Sequence, residues 1–419
     1  MANFGIVGVD WQERINWDRL RQYRLGRARE RMRAHGLGAL LLMYDENIRY
    51  VTSTLTPGWN RLKPGLRYAL LCGDGEPVLF EQGDIGFQIQ RHAPWIPPEN
   101  VRWSYAWIIR WSYAWIKGAA GPASKQQVKK FTDAIVKEMR RYGVADQTLG
   151  VDFIDINMLA AFQEAKLKWA DGMTPMMEAR AIKNVDEQEC LRIVGAIGDA
   201  AHWETMRFLK PGLTENQVTA HIMAYLYGIP GMEDVEDVIV SSGPNTWPNW
   251  RTFSDRIIRP GDIVFMDLAA LTWNGYKSCY YRTYCVGKPP TQEQKDYYAL
   301  ALKWLYDSIH AVRPGATTRD IALKWPSAKE AWGYEEEDQA AANLWGHGLG
   351  LAQYDQPVIS RIWSLDHPLE IRPGMVFALE TQHGKRYQWG VRIEEMLIVH
   401  EDRTEIISQF PVEQITVVD

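Results

Sequence analysis

The segment Pro373-Gly374-Met375-Val376-Phe377-Ala378-Leu379-Glu380, followed by Gly390-Val391-Arg392-Ile393-Glu394, decides the reading of this chain. The first is an apolar run of strand length that ends on a carboxylate, and the second carries another carboxylate on the strand that follows. Side chains alternate along a strand, so acids on neighbouring strands of one sheet can point inward together. Burying an acid beside such a run is costly unless a cation, a hydrogen-bond donor or a proton compensates it. Working outward, Asp267 ends the apolar run from Ile263, and His347 stands between Gly346 and Gly348, which permit close backbone approach. Asp267, His347, Glu380 and Glu394 together have the make-up of a metal-ligand set, and Cys279 in Gly275-Tyr276-Lys277-Ser278-Cys279 adds a thiol.

The surrounding chain alternates helices and strands in a way that predicts an α+β protein. A charged helix spans Trp17 to His35 and stops at Gly36, a strand covers Leu40 to Tyr44, and Tyr68–Cys72 with Pro77–Phe80 flank the turn Gly73-Asp74-Gly75. Helices follow at Lys125–Arg141 and Ile156–Trp169, with a strand near Gly150-Val151-Asp152 between them. Met173–Asn184 reads as a link. Asp186 then caps a helix to Leu209, and Thr214 with Gln217 forms a capping box for a second helix that Gly228 stops. Strands dominate afterwards, at Val238–Ser241, Ile263–Asp267, Tyr276–Val286, Met375–Glu380 and Val391–Val399. Helices at Gln292–His310 and Thr318–Ala331 interrupt them.

Composition removes several classes of function. The chain has 419 residues, 46% hydrophobic and 24% charged, with a formal net charge of -5, which offers no basic footprint for nucleic acid. No window has the length of apolar sequence that a membrane helix needs, and Met1–Trp11 lacks the plan of a signal peptide, so a cytoplasmic location is expected. Four scattered cysteines, Cys72, Cys190, Cys279 and Cys285, make a disulfide framework improbable. Arg102–Ile109 recurs as Arg110–Lys117, a period of eight that puts the aromatic residues of both copies on one face of an extended strand. Such a face would suit a wall over a cationic ligand, or the repeat is a small duplication that lengthens a strand.

Several blocks of this sequence resemble the pita-bread superfamily of creatinase, prolidase, aminopeptidase P and methionine aminopeptidase. The resemblance rests on Glu178-Ala179-Arg180-Ala181-Ile182-Lys183 with Asp186-Glu187, Ser242-Gly243-Pro244-Asn245, Gly275-Tyr276 with Tyr281-Arg282-Thr283, Gly346-His347-Gly348-Leu349-Gly350, and the two acid-ending segments. It implies a creatinase-like N-terminal domain over residues 1–172, a pita-bread catalytic domain over 173–419, a homodimer and a small-molecule substrate. The superfamily's peptidases hold two divalent ions with two aspartates, one histidine and two glutamates. Asp267, His347, Glu380 and Glu394 match four of these positions, whereas Cys279 takes the place of the bridging aspartate. A thiol is a softer ligand than a carboxylate, so the expected alternatives are one zinc, iron or manganese ion and a metal-free pocket.

Further departures accompany Cys279. Asn249 and Tyr354 stand where two assisting histidines of the superfamily would fall; neutral Asn cannot shuttle a proton, and Tyr does so only with a shifted pKa. The step of twelve from Asp267 to Cys279 is one residue longer than the superfamily's. These changes favour a non-peptidase member, with creatinase, ectoine hydrolase and a dimethylsulfoniopropionate lyase as the resembling branches. The expected reaction is cleavage of a small polar non-peptide substrate, by hydrolysis of a C–N bond or by elimination. His347, Glu380 and Glu394 form its centre and Asp355 is the candidate base. Trp59, Asn249, Tyr354, His383 and Arg392 are candidates for substrate binding: Trp59 on a loop that in the superfamily can reach a neighbouring subunit, His383 as a replacement base, and Arg392 as an orienting residue for Glu394 or a partner for a substrate carboxylate. Two alternatives are an Xaa-Pro dipeptidase or aminopeptidase with one divalent ion, and a catalytically inactive protein that binds a small molecule.

Overall fold

The computed structural model describes residues 14–55, 67–81, 86–104, 122–250, 252–340 and 344–419. Trp59 and most of the tandem repeat, residues 105–117, lie outside them. Two units separate, one from Trp17 to Arg180 and one from Ala181 to Asp419 that also takes in Asn16.

The first unit is built on a six-stranded sheet. Its strands are β1 (Ala39–Leu42), β2 (Tyr68–Cys72), β3 (Val78–Glu81), β4 (Val101–Trp103), β5 (Leu149–Val151) and β6 (Trp169–Asp171), in the order β4-β3-β2-β1-β5-β6. The expected hairpin β2–β3 is antiparallel, and Gly73 at its turn has φ +51°, a conformation glycine adopts without strain. Helix Pro122–Arg141 buries Val128, Phe131, Ile135 and Met139 against the apolar faces of β1, β2 and β5. Two expectations needed correction. The helix from Ile156 ends at Glu164, Lys166 turns with φ +56°, and Trp169–Asp171 is a strand parallel to β5. The segment from Met173 is a helix, Met173–Ala181, because Asp171 accepts the N–H groups of Met173 (2.8 Å) and Thr174.

The second unit carries two five-stranded sheets. In one, β7 (Met232–Ser242), β8 (Ile263–Trp273), β9 (Tyr276–Ser278), β10 (Tyr281–Val286) and β16 (Thr416–Val418) follow the order β16-β10-β8-β7, with β9 on β8. In the other, β11 (Leu344–Gly348), β12 (Asp355–Ser360), β13 (Val376–Lys385), β14 (Trp389–Val399) and β15 (Thr404–Ile406) run β12-β11-β13-β14-β15. Thr283 of β10 joins the sheets, donating to the Arg392 carbonyl (2.7 Å) and accepting from the Arg392 N–H (3.0 Å). Helix Gln292–Ala311 closes the outer face of the second sheet, burying Tyr298, Ala301 and Leu305 with Val391, Ile393 and Leu397. Together the two units form an α+β protein.

Capping chemistry explains where several helices begin. Asn184, rather than Asp186, caps helix Val185–Phe208 in a reciprocal box with Glu187; Asp186 instead accepts the Asn16 N–H at 2.8 Å. Thr214 and Gln217 form the expected box for Glu215–Tyr227. The single helix expected over Thr318–Ala331 is two, Thr318–Ala322 and Ala328–Trp332, since Pro326 lacks an N–H and Ser327 caps the second.

The glycines beside His347 are needed for strand packing. A Cβ on Gly348 would lie 2.4 Å from the Gln356 carbonyl oxygen and 2.6 Å from backbone atoms of Asp355; on Gly346 it would lie 2.6 Å from Leu379 and 2.8 Å from the Ala378 carbonyl. We therefore expect Gly348→Ala to lower stability by about 2 kcal/mol, as overpacking against backbone does, read as a drop in unfolding temperature. Gly26→Ala, where an added methyl meets nothing within 4 Å, is the control and leaves stability unchanged or higher.

Candidate active site

The acids meet because the register of the second sheet is unbroken where they sit. Glu380 of β13 pairs directly with Glu394 of β14, and Gln382 pairs with Arg392 two residues on, so all four share one face. His347 of β11 pairs with Ala378, which places the imidazole on the same face. Asp267 comes from the first sheet, opposite Tyr281.

Cys279 occupies the break between β9 and β10, where a continuous strand over Tyr276–Val286 was expected. The cause lies on the facing strand. Asp267 pairs with Tyr281 but Leu271 pairs with Ser278, so four steps on β8 oppose three on the partner. The surplus residue forms a bulge in which Ala270 adopts φ +56°. This bulge absorbs the extra residue in the step from Asp267 to Cys279, and the buried thiol then lies 4.0 Å from Asp267 Oδ1 and 3.8 Å from Glu394 Oε2.

Cys279, His347 and Glu394 form a compact buried trio whose ligand atoms all lie within 4.8 Å of one another. His347 Nδ1 lies 2.7 Å from the Gln353 carbonyl, so this nitrogen carries the proton and Nε2 keeps its lone pair for the centre. Nε2 is 3.8 Å from Glu394 Oε1, an atom with no hydrogen-bond partner among the described residues. A neutral imidazole nitrogen, an unpartnered carboxylate oxygen and a thiol suit one divalent ion. Asp267 and Glu380, two of the expected ligands, stand beside this trio. Glu380 accepts from the Tyr281 hydroxyl and from Arg392 Nη2 at 3.4 Å.

Burial and crowding shape the charges. Burial, with Glu380 and Asp237 adding to it and Arg392 opposing, pushes the Asp267 carboxyl up to about 7. Burial, with Glu380 and Asp267 adding to it, pushes Glu394 well above its ordinary range; burial, with Glu394, Asp267 and Glu380 adding, does the same to the Cys279 thiol, while burial holds His347 below its usual value. The centre therefore favours bound protons or a bound cation over bare negative charge.

The remaining candidates separate by position. Arg392 is buried between Trp250 (4.0 Å from the ring centre), Tyr281 (4.6 Å) and Phe265 (5.2 Å), and its Nε and Nη1 have no hydrogen-bond partner among the described residues. Tyr354 is half-exposed, packs its ring 4.7 Å from His347, and keeps its phenol protonated because burial and the nearby thiol and acids raise its pKa. Asn249 is exposed. Asp355, expected as a base, is buried and held by Lys183 at 3.2 Å, which anchors the loop after Gly350. His383 is three residues from Glu380, an odd step that turns it to the opposite face of β13. There it stacks on Tyr297 (4.3 Å) and accepts from Trp332 Nε1 (3.2 Å), and burial lowers its pKa to about 4. Three contributors went unread in the sequence: Tyr281, Trp250 and Gln353. Only Tyr281 stood in a quoted block.

Comparison with known proteins narrows the chemistry. Residues 189–401 match the metallopeptidase family M24, and residues 24–182 match the creatinase/prolidase N-terminal domain. A probable dipeptidase, PepE, of Mycobacterium tuberculosis is 30% identical over 285 residues, 66% of this chain and 74% of the relative. The Xaa-Pro dipeptidase of Pyrococcus furiosus is 29% identical over 63% of this chain and 74% of its own. The ectoine hydrolase of Halomonas elongata is also a relative, 26% identical over 58% of this chain and 62% of its own. The Xaa-Pro dipeptidase from Bacillus anthracis superposes with a TM-score of 0.74 at 21% identity, covering 95% of this chain and 99% of that structure, which shows the fold. These relatives overturn the expectation of a non-peptide substrate: the departures at Cys279, Asn249 and Tyr354 were read as a change of reaction, yet relatives sharing long stretches of the chain carry dipeptidase names. Nothing among them supports a resemblance to the lyase. No helix among the described residues is long and apolar enough to cross a membrane.

The position of His383 predicts that it takes no part in the reaction. His383→Gln, which keeps an acceptor for Trp332, should retain at least about half of the hydrolytic rate, whereas loss of a general base costs on the order of 100-fold or more. Steady-state kinetics of the two proteins decides between these outcomes.

Proposed function

The chain belongs to the metallopeptidase family M24 and carries a creatinase/prolidase N-terminal domain, and from that premise we propose that it is a hydrolase of dipeptides with a free C-terminal carboxylate. The observation that carries this reading is Arg392. Its guanidinium is buried among three aromatic rings beside the acid cluster, and its Nε and Nη1 have no hydrogen-bond partner among the described residues. Each of these is a charge-assisted donor for an anion such as a carboxylate. The end of a dipeptide is such a carboxylate, one residue from the bond to be cut.

Cys279, His347 and Glu394 would hold a divalent ion, which when bound supplies Lewis acidity toward a carbonyl oxygen. Glu380, oriented by Tyr281 and Arg392, accepts a proton from the attacking water. Tyr354 remains protonated at neutral pH, so it donates a hydrogen bond to the oxygen that gains charge, at the mouth of the site. Trp250 forms one wall beside the arginine and limits the space available to the substrate's C-terminal residue. Xaa-Pro dipeptides belong in the substrate panel, since the Pyrococcus furiosus and Bacillus anthracis relatives are named for them.

The test compares a panel of dipeptides with their C-terminal amides, after loading the protein with zinc, cobalt or manganese. We expect the free acids to be hydrolysed with kcat/KM at least about 100-fold above the amides, the size of effect that leaving a buried charge unpaired produces. Equal rates would remove Arg392 from substrate recognition, and no hydrolysis of any dipeptide would overturn the reading. Tyr354→Phe should lower kcat by roughly 10-fold or more with KM little changed, as expected for a donor that acts mainly in the transition state.

A further inference from the structure

We propose that Cys279 binds the ion as a thiolate, making this a site for one zinc-class ion that discriminates against manganese and magnesium. The proposal rests on the trio being a metal site and adds which metal it takes and how. Four observations support it.

The first is spacing. Cys279 Sγ to Glu394 Oε2 and His347 Nε2 to Glu394 Oε1 are both 3.8 Å. Ligands on one tetrahedral zinc, with bonds of about 2.3 Å to sulfur and 2.0 Å to nitrogen and oxygen, lie roughly 3.3–3.6 Å apart. These two pairs are therefore within about half an ångström of coordination spacing, and the three ligand atoms all lie within 4.8 Å of one another.

The second is the orientation of Gln353. Its backbone carbonyl fixes the His347 tautomer from one side at 2.7 Å, and its side-chain Nε2 donates to Cys279 Sγ at 3.5 Å. One residue thus positions two of the three ligands, with an N–H aimed at the sulfur. Supporting contacts of this kind fix ligand geometry and tune affinity.

The third is backbone geometry. Ala270 holds a left-handed conformation, costly for a residue with a side chain, in the bulge that sets the register opposite Cys279. The fourth is Glu394 Oε1, buried, without a hydrogen-bond partner among the described residues, and 3.8 Å from His347 Nε2. Binding converts Cys279 S–H to S⁻, the ion takes the sulfur lone pair, and the proton leaves to solvent. No oxidant or reductant is involved.

A thiolate is a soft donor. It strengthens binding of zinc and cobalt(II) far more than that of hard ions, which prefer oxygen. Lone carboxylates in the same position would not make this distinction.

The test uses the full chain, treated with chelator and titrated with cobalt(II) while absorbance is recorded. We expect saturation at about one equivalent, with a near-ultraviolet sulfur-to-cobalt charge-transfer band and visible bands typical of low coordination number. Zinc should displace the cobalt, and manganese should need at least about a 100-fold higher concentration to do so. Gln353→Ala, which leaves the ligands in place, should weaken cobalt binding by roughly 10-fold, and Cys279→Ser should abolish the near-ultraviolet band. Cobalt binding by the wild type without that band, or a band that persists in Cys279→Ser, overturns thiolate ligation and leaves the hydrolase reading standing. Two equivalents bound overturn the single-ion site. Absence of cobalt and zinc binding by calorimetry overturns both the proposal and the metal site beneath it.

Discussion

Three carboxylates, Asp267, Glu380 and Glu394, are buried between two sheets, and the second unit is organised around making that tolerable. An unpaired buried carboxylate is among the most expensive groups a fold can contain. Here each acid is compensated differently. Glu380 receives Tyr281 and Arg392, Asp267 takes up a proton near neutrality, and Glu394 is left with one oxygen facing His347. The differences separate the acids into a hydrogen-bonded carboxylate suited to proton transfer and a carboxylate suited to a cation. Cys279, brought in by the bulge at Ala270, completes the cation side.

The same arrangement explains why Arg392 matters beyond its charge. Within β14 it occupies the position two residues from Glu394, on the same face, and its backbone links the two sheets through Thr283. Stacking against Trp250, Tyr281 and Phe265 holds the guanidinium plane so that few rotamers remain. A recognition group already fixed in place gives up little entropy on binding, which favours small ligands with few contacts.

Much of this was legible in the sequence, for reasons that can be stated. Glu380 and Glu394 end runs whose period of two puts them on one face, and glycines beside His347 signalled close strand approach; β13 and β14 pair without interruption, so the pattern reads directly. The bulge was not legible. Ala270 carries no mark of a left-handed conformation, and the surplus residue before Cys279 read as one more departure from the superfamily rather than as a local device. His383 lies on the face of β13 opposite Glu380, as the odd step of three residues between them already implied. Asp355 was expected as a base, and Lys183, 172 positions away in the chain, cannot be inferred from the sequence as its partner. The substituted residues Cys279, Asn249 and Tyr354 were read together as a new reaction, whereas comparison with the dipeptidases favours retained chemistry around altered ligands.

The central claim is that a cation bound by Cys279, His347 and Glu394 relieves the buried acids, so its removal must cost stability. Thermal unfolding of chelator-treated protein, with and without one equivalent of zinc at neutral pH, measures this directly. Binding to the folded state at about 100 times the dissociation constant adds roughly 2.7 kcal/mol, so zinc should raise the unfolding temperature by a few degrees or more. An unfolding temperature that zinc leaves unchanged would contradict the account.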